Sequence, residues 1–265
     1  MITYHNQAKE RLKAGEQLSA SWIQLASPLA AEITAQAGYD IVVVDCEHAP
    51  IDPTNLYPLL QAVGGYGCMT MVRAPWGGID GKFVEIKRLL DCGAMGIHIP
   101  YVNTKEEAEE AVRACMYPPK GIRGIAGSPR ACGFGQNRGQ YLQHVNDELL
   151  IMVAIETLEG ASNVEELCEV EGVDGIFIGP MDLSTNMGYF ANPKAEAVQD
   201  KIREIEQIVL AKKKLLGTVA GNMEQAKALY DRGYSYVIFS SDSGNLAASM
   251  NREMKEFHAY KVLKK

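Results

Sequence analysis

The sequence predicts an α/β protein of the (β/α)8 barrel class, the TIM barrel, on three observations. Short β-rich runs alternate with longer amphipathic stretches along the chain. Several runs are apolar on both faces: Ile-Val-Val-Val at 41–44, Ile-Met-Val-Ala-Ile at 151–155 and Ile-Phe-Ile at 176–178. Such runs mark strands buried between helices in a parallel sheet. Eight strand-plus-helix units of about 30 residues each account for the 265 residues, so one domain over 1–265 is expected. An open doubly wound sheet would ask for Gly-x-Gly-x-x-Gly after the first strand. The sequence there reads Ala26-Ser27-Pro28-Leu29.

Taken in order, the expected strands are 22–26, 41–45, 69–72, 96–100, 151–156, 175–179, 215–219 and 236–240. Helices are expected over 28–37, 53–63, 80–90, 104–115, 163–168, 193–213, 223–232 and 245–260. Thr104, with Glu107 three residues on, forms a capping box, and the acidic turn that follows suits the helix dipole. Phe83, Ile86, Leu89 and Leu90 share one face of the 80–90 helix. Gly38, Gly93, Gly172 and Gly233 close helices and lead into strands. The stretch 117–140, with Pro118-Pro119 and three arginines, reads as one long loop, and loops of that length are usually functional.

Composition narrows the function. At 47% hydrophobic the chain is not disordered. The longest apolar run, 149–155, is too short to span a bilayer, so no membrane partner is expected, and the polar N-terminus has no signal-peptide core. A net charge of −7 argues against nucleic acid. Six cysteines without a Cys-x-x-Cys suggest reduced thiols in a cytoplasm.

Reactive groups of such barrels sit at the C-terminal ends of the strands. Those ends read Asp45-Cys46-Glu47-His48, Arg73, Glu156-Thr157, Gly179-Pro180-Met181-Asp182, Gly221-Asn222 and Ser241-Asp242. Glu156 and Asp182 end adjacent strands, and two carboxylates with open positions are what Mg²⁺ accepts. The plainer reading has one of them capping a helix or pairing with an arginine. His48 suits a base near neutral pH, or is simply a hydrogen-bonded loop histidine. Arg73 is placed to stabilise an oxyanion, unless it is a surface arginine. His98 reads as a packed residue. No lysine falls at an expected strand end, so a Schiff-base mechanism is excluded, and carbonyl chemistry would need a metal as Lewis acid.

The segments Val44-Asp45-Cys46-Glu47-His48-Ala49-Pro50, Tyr117-Pro118-Pro119-Lys120-Gly121-Ile122-Arg123-Gly124, Ile155-Glu156-Thr157 and Glu171 to Ser184 resemble the HpcH/HpaI aldolase family. The resemblance runs from about Leu18 to about Met250. It implies a metal-dependent pyruvate aldolase that splits a 4-hydroxy-2-oxo acid into pyruvate and an aldehyde. The acid would be 4-hydroxy-2-oxoheptanedioate or a 2-keto-3-deoxy sugar acid, with aromatic compound catabolism as the implied setting. By the same resemblance Glu156 and Asp182 bind Mg²⁺, Mn²⁺ or Co²⁺, His48 is the base, and Asp91 is the acid that tunes it. Asp45 belongs to the same catalytic group, and Arg73 stabilises the enolate. Met181 and Asp182, beside Gly179 and Pro180, hold the pyruvate carboxylate through backbone amides. Arg123 and Arg130, in the long loop, are candidates to meet a distal carboxylate or sugar-acid hydroxyls, unless they are plain surface arginines. The resemblance also implies a homo-oligomer, a trimer of dimers that exchanges the last helix, 245–260. One departure is Ala154, where the family usually has glutamine. Alternatives are a CoA-ester lyase of the citrate or malyl type, and a barrel that binds a metal and keto acid without turnover.

Overall fold

The structure, a computed structural model, describes residues 4–75 and 83–262. A short helix α1 (Gln7–Lys13) leads into β1 (Leu18–Ile23), α2 (Pro28–Gln36), β2 (Ile41–Asp45), α3 (Pro53–Val63), β3 (Met69–Arg73), α4 (Phe83–Asp91), β4 (Gly96–Ile99) and α5 (Lys105–Cys115). A 3-10 turn at Arg130–Cys132 precedes α6 (Arg138–Glu148), β5 (Leu150–Ile155), α7 (Leu158–Ser162), α8 (Val164–Glu169) and β6 (Gly175–Ile178). The chain ends with α9 (Pro180–Asn186), α10 (Glu196–Ala211), β7 (Leu215–Val219), α11 (Met223–Tyr230), β8 (Tyr236–Ser241) and α12 (Asp242–Val262).

The strands are parallel and pair in sequence order, and β8 closes the barrel on β1. Closure requires every strand to be covered outside by helices and filled inside by side chains. The outer core includes Val42, Val44, Ile97, Ile151, Ile176 and the helix leucines Leu59 and Leu60. Each such side chain contributes roughly 1.5–3 kcal/mol by leaving water. Alternate residues of the same strands, Ile41, Val43, Met71, Met152, Ala154 and Phe177, fill the interior. Beneath them the buried Lys9 donates to Leu149 O at 2.6 Å and pairs with Asp174 at 3.0 Å. That satisfied ammonium lies on α1, before the first strand, and not at a strand end.

The expected fold holds, and its departures have local causes. β1 begins and ends earlier than 22–26, because Ala26 has φ of +52°, a left-handed value that no strand residue keeps. Its serines alternate with apolar residues, and the Ser19 hydroxyl donates to Asp40 at 2.7 Å. The expected loop 117–140 is shorter than read, since α6 starts at Arg138. The helix over 193–213 starts at Glu196 and ends at Ala211, and the first residues of the 80–90 helix lie outside the described ones, as do the side chains of Phe83 and Val84. The capping box at Thr104 and Glu107 is formed. Gly38, Gly93, Gly172 and Gly233 all have positive φ, as helix-ending glycines should.

Candidate active site

Asp45 is the last residue of β2 and has no exposed surface. Its carboxylate accepts Arg73 Nε at 3.0 Å and Nη2 at 2.8 Å, from the neighbouring position on β3. It also accepts Gln24 Nε2 at 3.0 Å and the backbone N–H groups of Glu47 and His48, each at 3.1 Å. Burial pushes this carboxyl up, but the arginine and the other donors outweigh it and hold it below the ordinary range. The same bonds fold residues 45–48 into a turn across the barrel mouth. His48 is exposed there, and Nε2 of its ring lies 3.6 Å from Glu47 Oε2.

Arg73 lies over the Trp22 ring, 4.3 Å from its centroid. Its third nitrogen, Nη1, is 3.3 Å from the same Glu47 Oε2. Glu47 is thus buried between an arginine and a histidine. Burial, with Asp45 and Asp182 nearby, pushes its carboxyl up to about 7 against the pull of Arg73.

Across the mouth, Glu156 follows β5 and is 3% exposed. Burial pushes it up to about 7, with Glu47 and Asp182 adding to the shift and a backbone N–H from Tyr101 opposing it. Gly179 gives it room. A Cβ on that residue would lie 2.6 Å from both Glu156 Cγ and Oε1. Tyr101 joins the two acids: its N–H donates to Glu156 Oε2 at 2.9 Å and its hydroxyl to Asp182 Oδ1 at 3.2 Å. Its φ of +53° is strained for a non-glycine residue and costs about 1–3 kcal/mol.

Among the described residues no three His, Cys, Asp or Glu side chains form a metal cage. Glu156 and Asp182 nevertheless fit a hard divalent cation, which needs only one or two carboxylates besides water and substrate oxygens. The Glu156 carboxyl, forced upward by burial and by the charges of Glu47 and Asp182, is one that a cation there would relieve. Asp182 lies in the first turn of α9, where the N–H groups of Met181 and Asp182 have no intrahelical acceptor.

Thus Asp45, His48, Arg73, Glu156, Gly179, Pro180, Met181 and Asp182 gather at one end of the barrel. Asp91 and Arg123 do not join them. Asp91 ends α4, which runs back from the mouth, and accepts Arg123 Nη2 at 2.6 Å. Arg123 has no exposed side-chain surface; it lies 4.4 Å from the Tyr117 ring centroid and donates to the Tyr141 hydroxyl at 3.1 Å. Within the chain the Arg123 guanidinium is taken up by Asp91 and two tyrosines, and Asp91 faces Arg123 and not His48. Arg130 is likewise structural, bonding Cys92 O at 2.8 Å and Leu60 O at 3.2 Å. Ala154 is buried inside the barrel. His98 is fully buried against Phe177, with ring centroids 4.3 Å apart, and burial lowers its pKa to about 3, so it is neutral. Glu47 and Tyr101 were not singled out from sequence. Glu47 stood inside the Asp45–His48 run, and Tyr101 one residue beyond an expected strand end, without a charge to draw notice.

Comparison with known proteins places this geometry in context. Residues 18–248 match the family model described as HpcH/HpaI aldolase/citrate lyase. A 4-hydroxy-2-oxo-heptane-1,7-dioate aldolase of Escherichia coli is 39% identical over 255 residues, 96% of this chain and 95% of the relative. A hydroxypyruvate/pyruvate aldolase of Pseudomonas aeruginosa is 35% identical over 92% of this chain and 90% of its own length. Among solved structures, a HpcH/HpaI aldolase/citrate lyase family protein from Burkholderia cenocepacia J2315 superposes with a TM-score of 0.89 at 31% identity. The match covers 96% of this chain and 99% of that one.

Proposed function

The chain belongs to the HpcH/HpaI aldolase/citrate lyase family, and from that premise we propose how its residues divide the work of a pyruvate aldolase. It is a carbon–carbon lyase that cleaves a 4-hydroxy-2-oxo acid to pyruvate and an aldehyde. Glu156 and Asp182 would hold a divalent cation, Mg²⁺ or Mn²⁺ with Co²⁺ as a third option, which would supply Lewis-acid stabilisation of the developing enolate charge.

The chain's own groups do the rest. Arg73, fixed by Asp45 and Trp22, presents positive charge to the keto oxygen. The N–H groups of Met181 and Asp182, which follow Gly179 and Pro180, bind the carboxylate of the keto acid. His48, held at the rim by its backbone bond to Asp45, takes the proton from the C4 hydroxyl as the C3–C4 bond breaks. The substrate is 4-hydroxy-2-oxoheptanedioate or a 2-keto-3-deoxy sugar acid. Tyr101 carries this reading: its backbone N–H bonds Glu156 and its hydroxyl bonds Asp182, so one residue ties both acids into the same part of the barrel mouth.

We also assign the exposed stripe on α12 to a second copy of the chain. No residue of that helix is buried, and Leu246, Met250, Met254 and Phe257 recur at helical spacing. Exchange of this helix, building a trimer of dimers, covers it.

The test is pyruvate release from a panel of 4-hydroxy-2-oxo acids by protein loaded with Mg²⁺ or Mn²⁺. Release that stops with EDTA and returns with metal is expected. Release that survives EDTA refutes the role of Glu156 and Asp182.

A further inference from the structure

One buried oxygen stands between the arginine and the histidine of the site. Glu47 Oε2 lies 3.3 Å from Arg73 Nη1 and 3.6 Å from His48 Nε2, and makes a hydrogen bond with neither. The rest of its surroundings are settled. Asp45 already takes the other edge of the Arg73 guanidinium with two bonds, so the outer end, with both N–H groups of Nη1 and one of Nη2, is left for an incoming oxygen. An anionic oxygen of a keto acid at Nη1 would meet Glu47 in the same place. Nη1 carries two N–H groups, but two anionic oxygens packed against one nitrogen repel each other, and a carboxylate this buried cannot turn to water for relief. The histidine ring is its other neighbour.

We propose that Glu47 is a positioning residue that works as a two-way latch, contacting Arg73 in the empty site and passing to His48 Nε2 when a keto acid takes Nη1. The inference rests on the aldolase reading. In the second position Glu47 holds a proton on His48 Nε2, so occupation of the donor site strengthens the base that serves the next step. The groups facing Glu47 agree with movement in that direction. Asp45 on β2, Asp182 on α9, Glu156 after β5 and Tyr101 after β4 bring negative charge or a hydroxyl dipole, while Arg73 and His48 are its cationic partners.

The experiment follows exchange of the pyruvate C3 protons for deuterium by NMR, across pH, in the Mg²⁺-loaded protein and its Glu47→Gln variant. In the parent protein the acid limb of kcat is expected about one pH unit above that of kcat/KM, because the base is stronger once the keto acid is bound. In Glu47→Gln the two limbs coincide, and KM for pyruvate falls threefold or more as the competitor for Nη1 is removed. Limbs that stay apart in the variant, or a KM unchanged or higher, overturn the latch. Absence of exchange in the parent protein refutes the aldolase reading instead. Calorimetric binding of pyruvate to the loaded protein then decides the latch alone, with equal affinity in the two proteins counting against it. Circular dichroism establishes that the variant is folded.

Discussion

Arg73 grips Asp45 through two parallel hydrogen bonds, Nε to Oδ1 at 3.0 Å and Nη2 to Oδ2 at 2.8 Å, with both groups withdrawn from water. The pair forms between facing positions on adjacent strands, so backbone register alone brings the charges together. Removing one partner strands the other without compensation. Asp45→Asn is expected to lower unfolding free energy by about 3 kcal/mol and to raise KM for the keto acid. Urea denaturation and steady-state kinetics read the two effects separately.

The depressed pKa of Asp45 sets an acid limit. A carboxyl held lower in the folded than in the unfolded chain contributes stability above its unfolded pKa, near 3.9. That contribution is lost as pH falls through the folded value. Thermal melts of the parent protein should fall more steeply below pH 4 than those of Asp45→Asn. Parallel curves would refute this account.

Glu156 has the opposite sign. Its folded pKa, pushed up by burial to about 7, means that the metal-free protein binds more protons than the unfolded chain between the ordinary carboxylate range and that value. Its stability should therefore decline from pH 5 to pH 8. Mg²⁺ or Mn²⁺ should raise the melting temperature more at pH 8 than at pH 5.5, by about 2–4 °C for each kcal/mol of binding. In Glu156→Gln the cation should have no such effect.

Gly179 admits no side chain. In Gly179→Ala the new methyl would sit 2.6 Å from Glu156 Oε1, and the glutamate must leave its place. The variant should stay folded at a cost of about 1–3 kcal/mol and lose metal-dependent stabilisation in the same melting experiment. Metal affinity equal to the parent's would contradict the steric argument.

Arg123 should behave as a packing residue. Arg123→Met removes the charge buried against Asp91, Tyr117 and Tyr141 and should destabilise by about 3 kcal/mol. Once corrected for folded protein, kcat/KM should remain within about threefold of the parent, the size of change expected away from the reacting atoms. A large rise in KM for dicarboxylic substrates alone would return Arg123 to the site.

These contrasts show what a sequence carries. The doubly apolar runs at 41–44, 151–155 and 176–178 announced the barrel, since only strands covered on both faces bury such residues. Strand ends then located Asp45, Arg73 and Glu156, because register is a local property. The packing of Arg123 was not legible because α6 was not: its apolar residues, Tyr141, Leu142 and Val145, are too few for a stripe, and Asn137 makes no side-chain cap. Without that helix the arginine stood in a loop; with it, Tyr141 covers the guanidinium. Tyr101 and Glu47 depended on side chains meeting across strands, which no periodicity encodes.

The root of α12 reaches the chemistry by a short path. Asp242, the first residue of that helix, accepts the N–H groups of Gln24 and Leu25 at 2.9 and 3.2 Å, and Ser243 donates to Gln24 Oε1 at 2.8 Å. The amide of the same Gln24 donates to Asp45. One glutamine therefore spans the bare helix and the acid that anchors Arg73. Under the assembly proposed for α12, loss of the second copy would loosen the helix at its base and, through Gln24, the arginine's grip. On that proposal specific activity would become a gauge of assembly, falling with protein concentration before the chain unfolds.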